Sequence, residues 1–243
     1  MSFDVPREVV LPVDRVEVRL NPAPHPFALA HAAQIAANWR TETAANPELF
    51  NGEMVLLSSL AYHGRRLTGR CHMVRYAAFL YWRKHRDASV AAHAFAHAAL
   101  VTADNALLAI RMGRHTANPG AVYFAAGSFE PVDFPAGVAD LHGNMAREVL
   151  EETGLNIGDA PRDPAYHAFS QAAGTVIFRR YRLGIEADAA AERVADFVAA
   201  EAEPEISGPV VIRSADDLPV GILPHMEAIV RWHFGPDATE GPE

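Results

Sequence analysis

The sequence predicts an α/β fold, and three observations lead to this prediction. Short stretches in which apolar and polar residues alternate predict β-strands, and longer stretches with apolar residues every three or four positions predict helices. The two kinds of element alternate along the chain, as they do in α/β proteins. With 243 residues, half of them hydrophobic, the chain is long enough for one large domain or for a domain with a smaller attachment.

Residues 1–95 are predicted to form an N-terminal α+β part. The alternation in Val16–Leu20 predicts a strand, and an alanine-rich helix follows and ends at Asn46-Pro47, because the residue before proline avoids the helical region. Two further strands are predicted around the turn at His63-Gly64, whereas residues 77–93 have no clear pattern. The predicted elements are strand 16–20, helix 27–45 and strands 54–61 and 67–76.

Residues 96–234 are predicted to form the main domain, followed by a polar tail at 235–243. A helix is expected to end at Thr153, because Gly154 stands where a helix C-cap belongs. The predicted elements are strands 98–102, 107–112 and 121–126, helix 140–153, strands 165–171 and 175–185, helix 189–202, strand 209–213 and helix 222–234.

Composition excludes several classes of protein. The net charge is −9, and residues 91–243 contain 22 Asp and Glu against 10 Lys and Arg, so we expect no non-specific binding to nucleic acid. Residues 1–90 are instead slightly basic, with 11 Lys and Arg against 8 Asp and Glu. No apolar run is long enough for a membrane span, and the first residues lack the features of a secretory signal. The single Cys71 excludes an internal disulfide framework, and a cytoplasmic protein is therefore expected.

The most informative segment contains three glutamates near the end of the helix predicted at 140–153. Glu148 lies three residues before Glu151 and four before Glu152, so the three carboxylates share one flank of the helix. Like charges at these spacings cost about 0.2–0.5 kcal/mol per pair, and the helix dipole is already negative at this end. A divalent cation removes both penalties, because carboxylate oxygens are its natural ligands. The alternative is a solvated acidic flank without a ligand.

One segment resembles the second half of the Nudix hydrolase signature, which is known as the Nudix box: Arg147-Glu148-Val149-Leu150-Glu151-Glu152-Thr153-Gly154-Leu155. With the elements around it, the resemblance covers roughly residues 96–234. It implies a Nudix α/β/α sandwich, with the N-terminal α+β extension packing on it.

The first half of the signature departs from the family pattern. Counted back from Arg147, the family glycine and glutamate fall on Asp133 and Ala139, which do not match. The better fit takes Gly127 as the glycine and Glu130 as a nearby acidic residue, with six residues inserted around 132–137. In that arrangement Asp140 is expected to act as the N-cap of the helix.

The resemblance also implies roles for individual residues. Glu148, Glu151 and Glu152, with the backbone of Gly127, are expected to hold Mg²⁺, for which Mn²⁺ can substitute. Glu148, Glu151 and Arg147 are expected to be catalytic: a carboxylate orients or deprotonates the attacking water, and Arg147 pairs with a box carboxylate. A further carboxylate from outside the box is expected, and three glutamates before the strand at 209–213 are candidates: Glu201, Glu203 and Glu205.

The N-terminal part carries a second, shorter resemblance. Trp39 and the segment Asn46-Pro47-Glu48-Leu49-Phe50-Asn51-Gly52 are similar to the N-terminal part of the Nudix subgroup that hydrolyses UDP-glucose and UDP-galactose. The alternative is an ordinary helix stop followed by a turn. The extension is expected to help form the substrate pocket, against the alternatives of an appendage or a dimer interface. Four arginines are candidate substrate-binding residues, since guanidinium groups suit phosphate: Arg65, Arg66, Arg70 and Arg75.

These observations predict a Mg²⁺-dependent hydrolase that cleaves the diphosphate linkage of a nucleoside diphosphate joined to another moiety. A nucleotide sugar such as UDP-glucose is the favoured substrate, with ADP-ribose or another dinucleotide as the alternative. The rival interpretation is a Nudix fold that binds a ligand or regulates without catalysis, which the broken first half of the signature favours. The expected partner is a small molecule, with neither nucleic acid nor membrane, and a homodimer is compatible with the sequence.

Overall fold

The structure is a computed structural model that describes residues 3–87, 89–116, 118–172 and 174–236. Contacts among these residues divide the chain into two units. The N-terminal unit contains the residues up to Phe95 together with 128–141 and 170–175, and the C-terminal unit contains 96–127, 142–169 and the residues from 176 onward. The mixed α/β class predicted from the sequence is confirmed.

Strands and helices are distributed along the whole of the described chain. The strands are β1 (Phe3–Asp4), β2 (Val10–Val13), β3 (Arg15–Asn21), β4 (Glu53–His63), β5 (Arg66–Arg75), β6 (Ala94–Val101), β7 (Leu107–Met112), β8 (Val122–Tyr123), β9 (Tyr166–Gln171), β10 (Gly174–Arg182) and β11 (Ile206–Ile212). The helices are α1 (Pro26–Ala30), α2 (Ala32–Ala45), α3 (Tyr76–His85), α4 (Leu141–Thr153), α5 (Ala187–Ala200) and α6 (Pro224–Phe234), and two short 3-10 turns lie at Pro131–Asp133 and Pro135–Gly137.

The N-terminal unit contains a four-stranded sheet in the order β1-β4-β5-β3. The antiparallel hairpin of β4 and β5 confirms the two strands predicted around His63-Gly64. Gly64 and Arg65 both have positive φ, the conformation of a two-residue turn whose twist matches that of the paired strands. β3 runs parallel to β5 over its whole length and forms one edge of this sheet.

Two helical regions of this unit differ from their predictions. The helix expected at 27–45 is divided at His31 into α1 and α2. Residues 77–93, which had no clear pattern, contain most of α3. Its apolar residues are almost contiguous in the sequence, so no helical period stands out, yet Phe79 and Trp82 pack into a core with Phe27 and Leu56.

The C-terminal unit is built on strands in the order β11-β7-β6-β10-β9, with β8 paired to β7. Of the residues expected to form a strand at 121–126, Val122 and Tyr123 do so, and they pair with β7. On β10, Tyr181 contacts His142 of α4, whereas Phe178 contacts Trp232 of α6. Because residues three apart on a strand point to opposite faces, α4 and α6 lie on opposite faces of the sheet. This is the layering expected of an α/β/α sandwich.

The C-terminal tail is described only at its start. Gly235 and Pro236 follow α6, and the remainder of the polar tail predicted at 235–243 lies outside the described residues. Among the helices that the structure describes, none is both long and apolar enough to cross a membrane.

Candidate active site

Helix α4 brings two of its three glutamates into the protein and leaves the third at the surface. Met145 and Val149, one turn apart, are fully buried and fix which face of the helix points inward. Glu148 and Glu152 are also one turn apart and are each only 8% exposed. Glu151 points to the surface, with 58% of its side chain exposed. The shared flank predicted for the three carboxylates therefore has a buried part and an exposed part.

Gly127 lies directly against the carboxylate of Glu148. A Cβ atom at position 127 would lie 2.2 Å from Oε1 and 2.5 Å from Oε2 of Glu148, closer than atoms can approach. Only glycine allows the backbone and this carboxylate to occupy these positions. Asp133, the residue that the other alignment places at the family glycine, is instead buried in a 3-10 turn, where its Oδ2 accepts the N–H of Glu130.

Arg147 pairs with two of the glutamates. Its Nη1 lies 2.7 Å from Oε1 of Glu148 and 3.0 Å from Oε2 of Glu151. One guanidinium group therefore partly neutralises a buried carboxylate and an exposed one and restricts the position of both. This is the kind of pairing that the sequence resemblance implies for Arg147.

The surroundings of Glu152 change the pKa of its carboxyl group. Its Oε2 accepts the backbone N–H of Ala126 at 3.0 Å. Burial raises the pKa of Glu152 to about 8, and the negative charge of Glu148 is the next largest cause; Glu205 and Glu151 add to it, and the hydrogen bond from Ala126 opposes it. Without a cation, the site therefore holds more negative charge than its surroundings can stabilise.

Two residues outside α4 belong to the same electrostatic environment. The charge of Glu205, one of the three candidates from outside the box, acts on both Glu152 and Tyr123. The backbone oxygen of Glu205 accepts the N–H of Gly113 at 2.8 Å, which fixes the start of β11. Tyr123 was not predicted: burial raises the pKa of its phenol to about 12, opposed by a hydrogen bond with the Asn118 side chain. In the sequence, only its position four residues before Gly127 indicates that Tyr123 lies near the site.

The C-terminus of α4 is fixed by Gly154. This residue has φ +71°, as predicted for a C-cap glycine, and its N–H donates to the oxygen of Leu150 at 3.0 Å. A Cβ atom at position 154 would lie 2.4 Å from Cδ2 of Phe197 on α5. Glycine is thus required here both by the positive φ of the backbone and by the close contact with α5. These two constraints hold the helix end that carries Glu151 and Glu152 in place.

The four arginines proposed from the sequence lie in the N-terminal unit, on β5 and in the turn before it. Arg65 donates from Nε and Nη2 to the carboxylate of Asp14 at 2.8 and 2.7 Å, and Arg75 lies 3.6 Å from Glu53. Arg66 and Arg70 are exposed on β5. Their role in substrate binding remains a prediction.

The residues around Glu148 and Glu152 suit a divalent cation, although they are not arranged as a complete metal cluster. In the part of the chain that the structure describes, no three His, Cys, Asp or Glu side chains are grouped closely enough to hold a metal ion. The buried donors are nevertheless carboxylate oxygens, which hard cations prefer, and they repel one another. The absence of a side chain at Gly127 allows the backbone to lie directly against the Glu148 carboxylate.

Neither a family model nor a curated protein matches the chain. Among solved structures, it is similar to the MutT protein from Methanosarcina mazei Go1, at 17% identity and a TM-score of 0.40, covering 61% of this chain and 96% of that one. It is also similar to the ORF135 protein of E. coli, at 15% identity and a TM-score of 0.37, covering 62% and 95%. A NUDIX hydrolase from Nitrosomonas europaea is 17% identical with a TM-score of 0.31, covering 50% and 72%. With TM-scores below 0.5, these similarities do not establish what the site does.

Proposed function

We propose that this protein is a Nudix-type hydrolase that uses Mg²⁺ to cleave the diphosphate linkage of a nucleoside diphosphate derivative. The observation that carries the proposal is the arrangement of Glu148 and Glu152, two buried carboxylates one turn apart, with the backbone of Gly127 pressed against the first. A solvated acidic flank, the alternative from the sequence, does not account for their burial. Nor does it explain why the glycine that fits the signature lies against the glutamate of the signature.

Glu148, Glu151, Glu152 and the backbone at Gly127 would hold the cation. A bound divalent cation supplies Lewis-acid chemistry, offsetting negative charge that develops on the phosphates and making water a stronger acid. Glu151 would contribute only after leaving Arg147, to which it is bound at 3.0 Å. Because the charge of Glu205 acts on Glu152, Glu205 is the best candidate for the carboxylate from outside the box.

The residues of the chain have separate tasks in this proposal. Arg147 restrains Glu148 and Glu151 through its two ion pairs. Ala126 holds one oxygen of Glu152, so the orientation of this carboxylate is fixed before substrate binds. Glu152 and Glu205 are the candidates for accepting the proton of the attacking water, because the charge of Glu205 contributes to raising the pKa of Glu152. The catalytic carboxylates named from the sequence, Glu148 and Glu151, would then mainly place the cation.

We further propose a nucleotide sugar such as UDP-glucose as the substrate, with ADP-ribose as the alternative. Support for this choice comes from the N-terminal segment at 46–52 and from the basic character of residues 1–90. The exposed guanidinium groups of Arg66 and Arg70 are suited to phosphate. A non-catalytic binding module is the rival, and the placement of Gly127 weakens the main argument for it.

The experiment is a panel of UDP-glucose, UDP-galactose and ADP-ribose, assayed for nucleoside monophosphate release with Mg²⁺, with Mn²⁺ and with EDTA. The proposal predicts activity with either metal and none in EDTA, and ¹⁸O from labelled water in a phosphate product. Full activity in chelated buffer would refute metal dependence. Metal binding without turnover of any substrate would favour the binding module, and a preference for ADP-ribose would refute only the choice of substrate.

A further inference from the structure

We call residues 128–140, the segment between Gly127 and α4, the box loop. It contains the six residues that the signature does not have, and it belongs to the N-terminal unit, whereas Gly127 before it and His142 after it belong to the C-terminal unit. The loop is therefore built into one unit while its two ends continue into the elements that carry Gly127 and Glu148.

The N-terminal unit holds the box loop through its edge strand. The N–H of Ala139 donates to the oxygen of Val18 at 2.9 Å, and Val138 forms an antiparallel bridge with Arg19. The 3-10 turn Pro135–Gly137 packs on β3, and the turn Pro131–Asp133 packs on β4. Val138 and Ala139, directly after the inserted residues, thus extend the small sheet beyond β3.

Asp133 ties the two ends of this loop together. Its Oδ2 accepts the N–H of Glu130 at 2.8 Å, and its own N–H donates to the oxygen of Glu130 at 3.1 Å. Its backbone oxygen accepts the N–H of Asp140 at 2.7 Å. Asp133 is only 4% exposed, so water competes little for these bonds. Glu130 lies three residues after Gly127, and Asp140 directly precedes α4.

We propose that Asp133 is a positioning residue of the active site, and that through the box loop it sets where Gly127 lies against Glu148. This inference rests on the proposed function. The contact at Gly127 leaves no room for movement toward Glu148, because a single added carbon would already clash. Gly127 is within about 11 Å of chain from Glu130, so loss of the bond between the Asp133 side chain and the Glu130 N–H would alter the position of Gly127 directly. Misplacement of reacting groups by about 1 Å can cost about 10²-fold in rate.

The test compares Asp133→Ala with Asp133→Asn, whose amide oxygen can still accept the N–H of Glu130. Val132→Ala is the matched control, since Val132 lies in the same turn and is 68% exposed. Mn²⁺ affinity is measured by titration calorimetry, alongside kcat, KM and the Mg²⁺ concentration for half-maximal rate. We expect Asp133→Ala to weaken Mn²⁺ binding about tenfold and to lower kcat ten- to a hundredfold with a smaller change in KM. Asp133→Asn should stay within about threefold of the parent, and Val132→Ala should match it.

A folded Asp133→Ala protein with the parent's Mn²⁺ affinity and kcat would overturn the inference and leave Asp133 a structural residue. If that variant does not fold, Ala139→Pro takes its place. It removes the N–H that binds Val18, and the extended backbone of Val138 is the conformation required before proline. The same loss is expected, and parent-like binding and turnover would again overturn the inference. A parent protein that neither binds Mn²⁺ nor cleaves a diphosphate would refute the proposed function itself, and the inference with it.

Discussion

A side-chain carbon at position 127 would lie 2.2 Å from Oε1 of Glu148, so the glycine and the carboxylate occupy positions that each depend on the other. The first prediction follows from this contact. Gly127→Ala must displace either the loop or the carboxylate, and we expect at least a tenfold loss of turnover. Steady-state kinetics would measure it. Gly184→Ala is the control, since a Cβ there meets nothing within 4 Å. Equal turnover in the two variants would mean that the position of Glu148 does not matter for activity.

The second prediction concerns stability and pH in the absence of metal. The pKa of Glu152 is raised from 4.5 to about 8 in the folded protein, so between these values the folded state binds more protons than the unfolded state. The contribution of Glu152 to the free energy of unfolding should therefore be most favourable at low pH and should fall as the pH rises toward 8. Glu152→Gln, which stays neutral, should become more stable than the parent across this window, by an amount on the order of a few kcal/mol.

Urea unfolding in EDTA at pH 5 and pH 8 measures this difference. The advantage of Glu152→Gln should be small at pH 5 and larger at pH 8, and Mg²⁺ should reduce it by stabilising the parent. Binding of the cation should also release a proton from Glu152, which calorimetry in buffers of different ionisation enthalpy detects. A stability difference that does not change between the two pH values would show that Glu152 is ionised at neutral pH without metal.

A third prediction tests how the end of α4 is held. Gly154→Ala places a Cβ at φ +71° and 2.4 Å from Phe197, so it combines backbone strain with a clash. We expect a loss of about 1–3 kcal/mol in the free energy of unfolding, measured with urea. Gly184→Ala should change it by no more than about 0.5 kcal/mol. If Gly154→Ala is as stable as this control, neither the left-handed conformation nor the contact with Phe197 constrains the helix end.

The sequence predicted much of the fold because its signals are local. Helix α4 was expected at 140–153 and is found at Leu141–Thr153, since the apolar period and Gly154 both act within a few residues. The antiparallel hairpins were likewise predicted from largely apolar strand segments on either side of a turn. The expected strand at 121–126 is shorter, because after Tyr123 the chain turns to place the Ala126 N–H on Glu152.

The parts of the site that were not predicted depend on contacts between residues far apart in the sequence. The hydrogen bond from Ala126 to Glu152 and the pairing of Ala139 with Val18 leave no periodic pattern. The different environments of Glu151 and Glu152 are also invisible in their spacing, since only tertiary packing buries one and exposes the other. The fit to the signature favoured Gly127 over Asp133 as the family glycine, and the close contact of Gly127 with Glu148 supports that choice.

A fourth prediction concerns the arginines of the N-terminal unit. Each of Arg65, Arg66, Arg70 and Arg75 is changed to Gln, and specificity constants are measured with UDP-glucose and ADP-ribose. A residue that contacts substrate should alter the ratio of the two constants, because specificity is differential binding of the transition states. Arg65 is already bound by Asp14, so Arg66 and Arg70 are expected to have the larger effects. Parent-like ratios and Michaelis constants in all four variants would make these arginines part of the scaffold.

The most direct test of the central claim is the rate of nucleoside monophosphate release by Glu152→Gln under saturating Mg²⁺ and UDP-glucose. Glu192→Gln, which changes an exposed glutamate of α5, is the control. We expect Glu152→Gln to lose at least about a hundredfold in turnover while remaining folded, in line with the contribution of an acid–base group. Glu192→Gln should keep the parent rate. Parent-like turnover by Glu152→Gln would contradict the claim that the buried carboxylates of α4 are the catalytic centre.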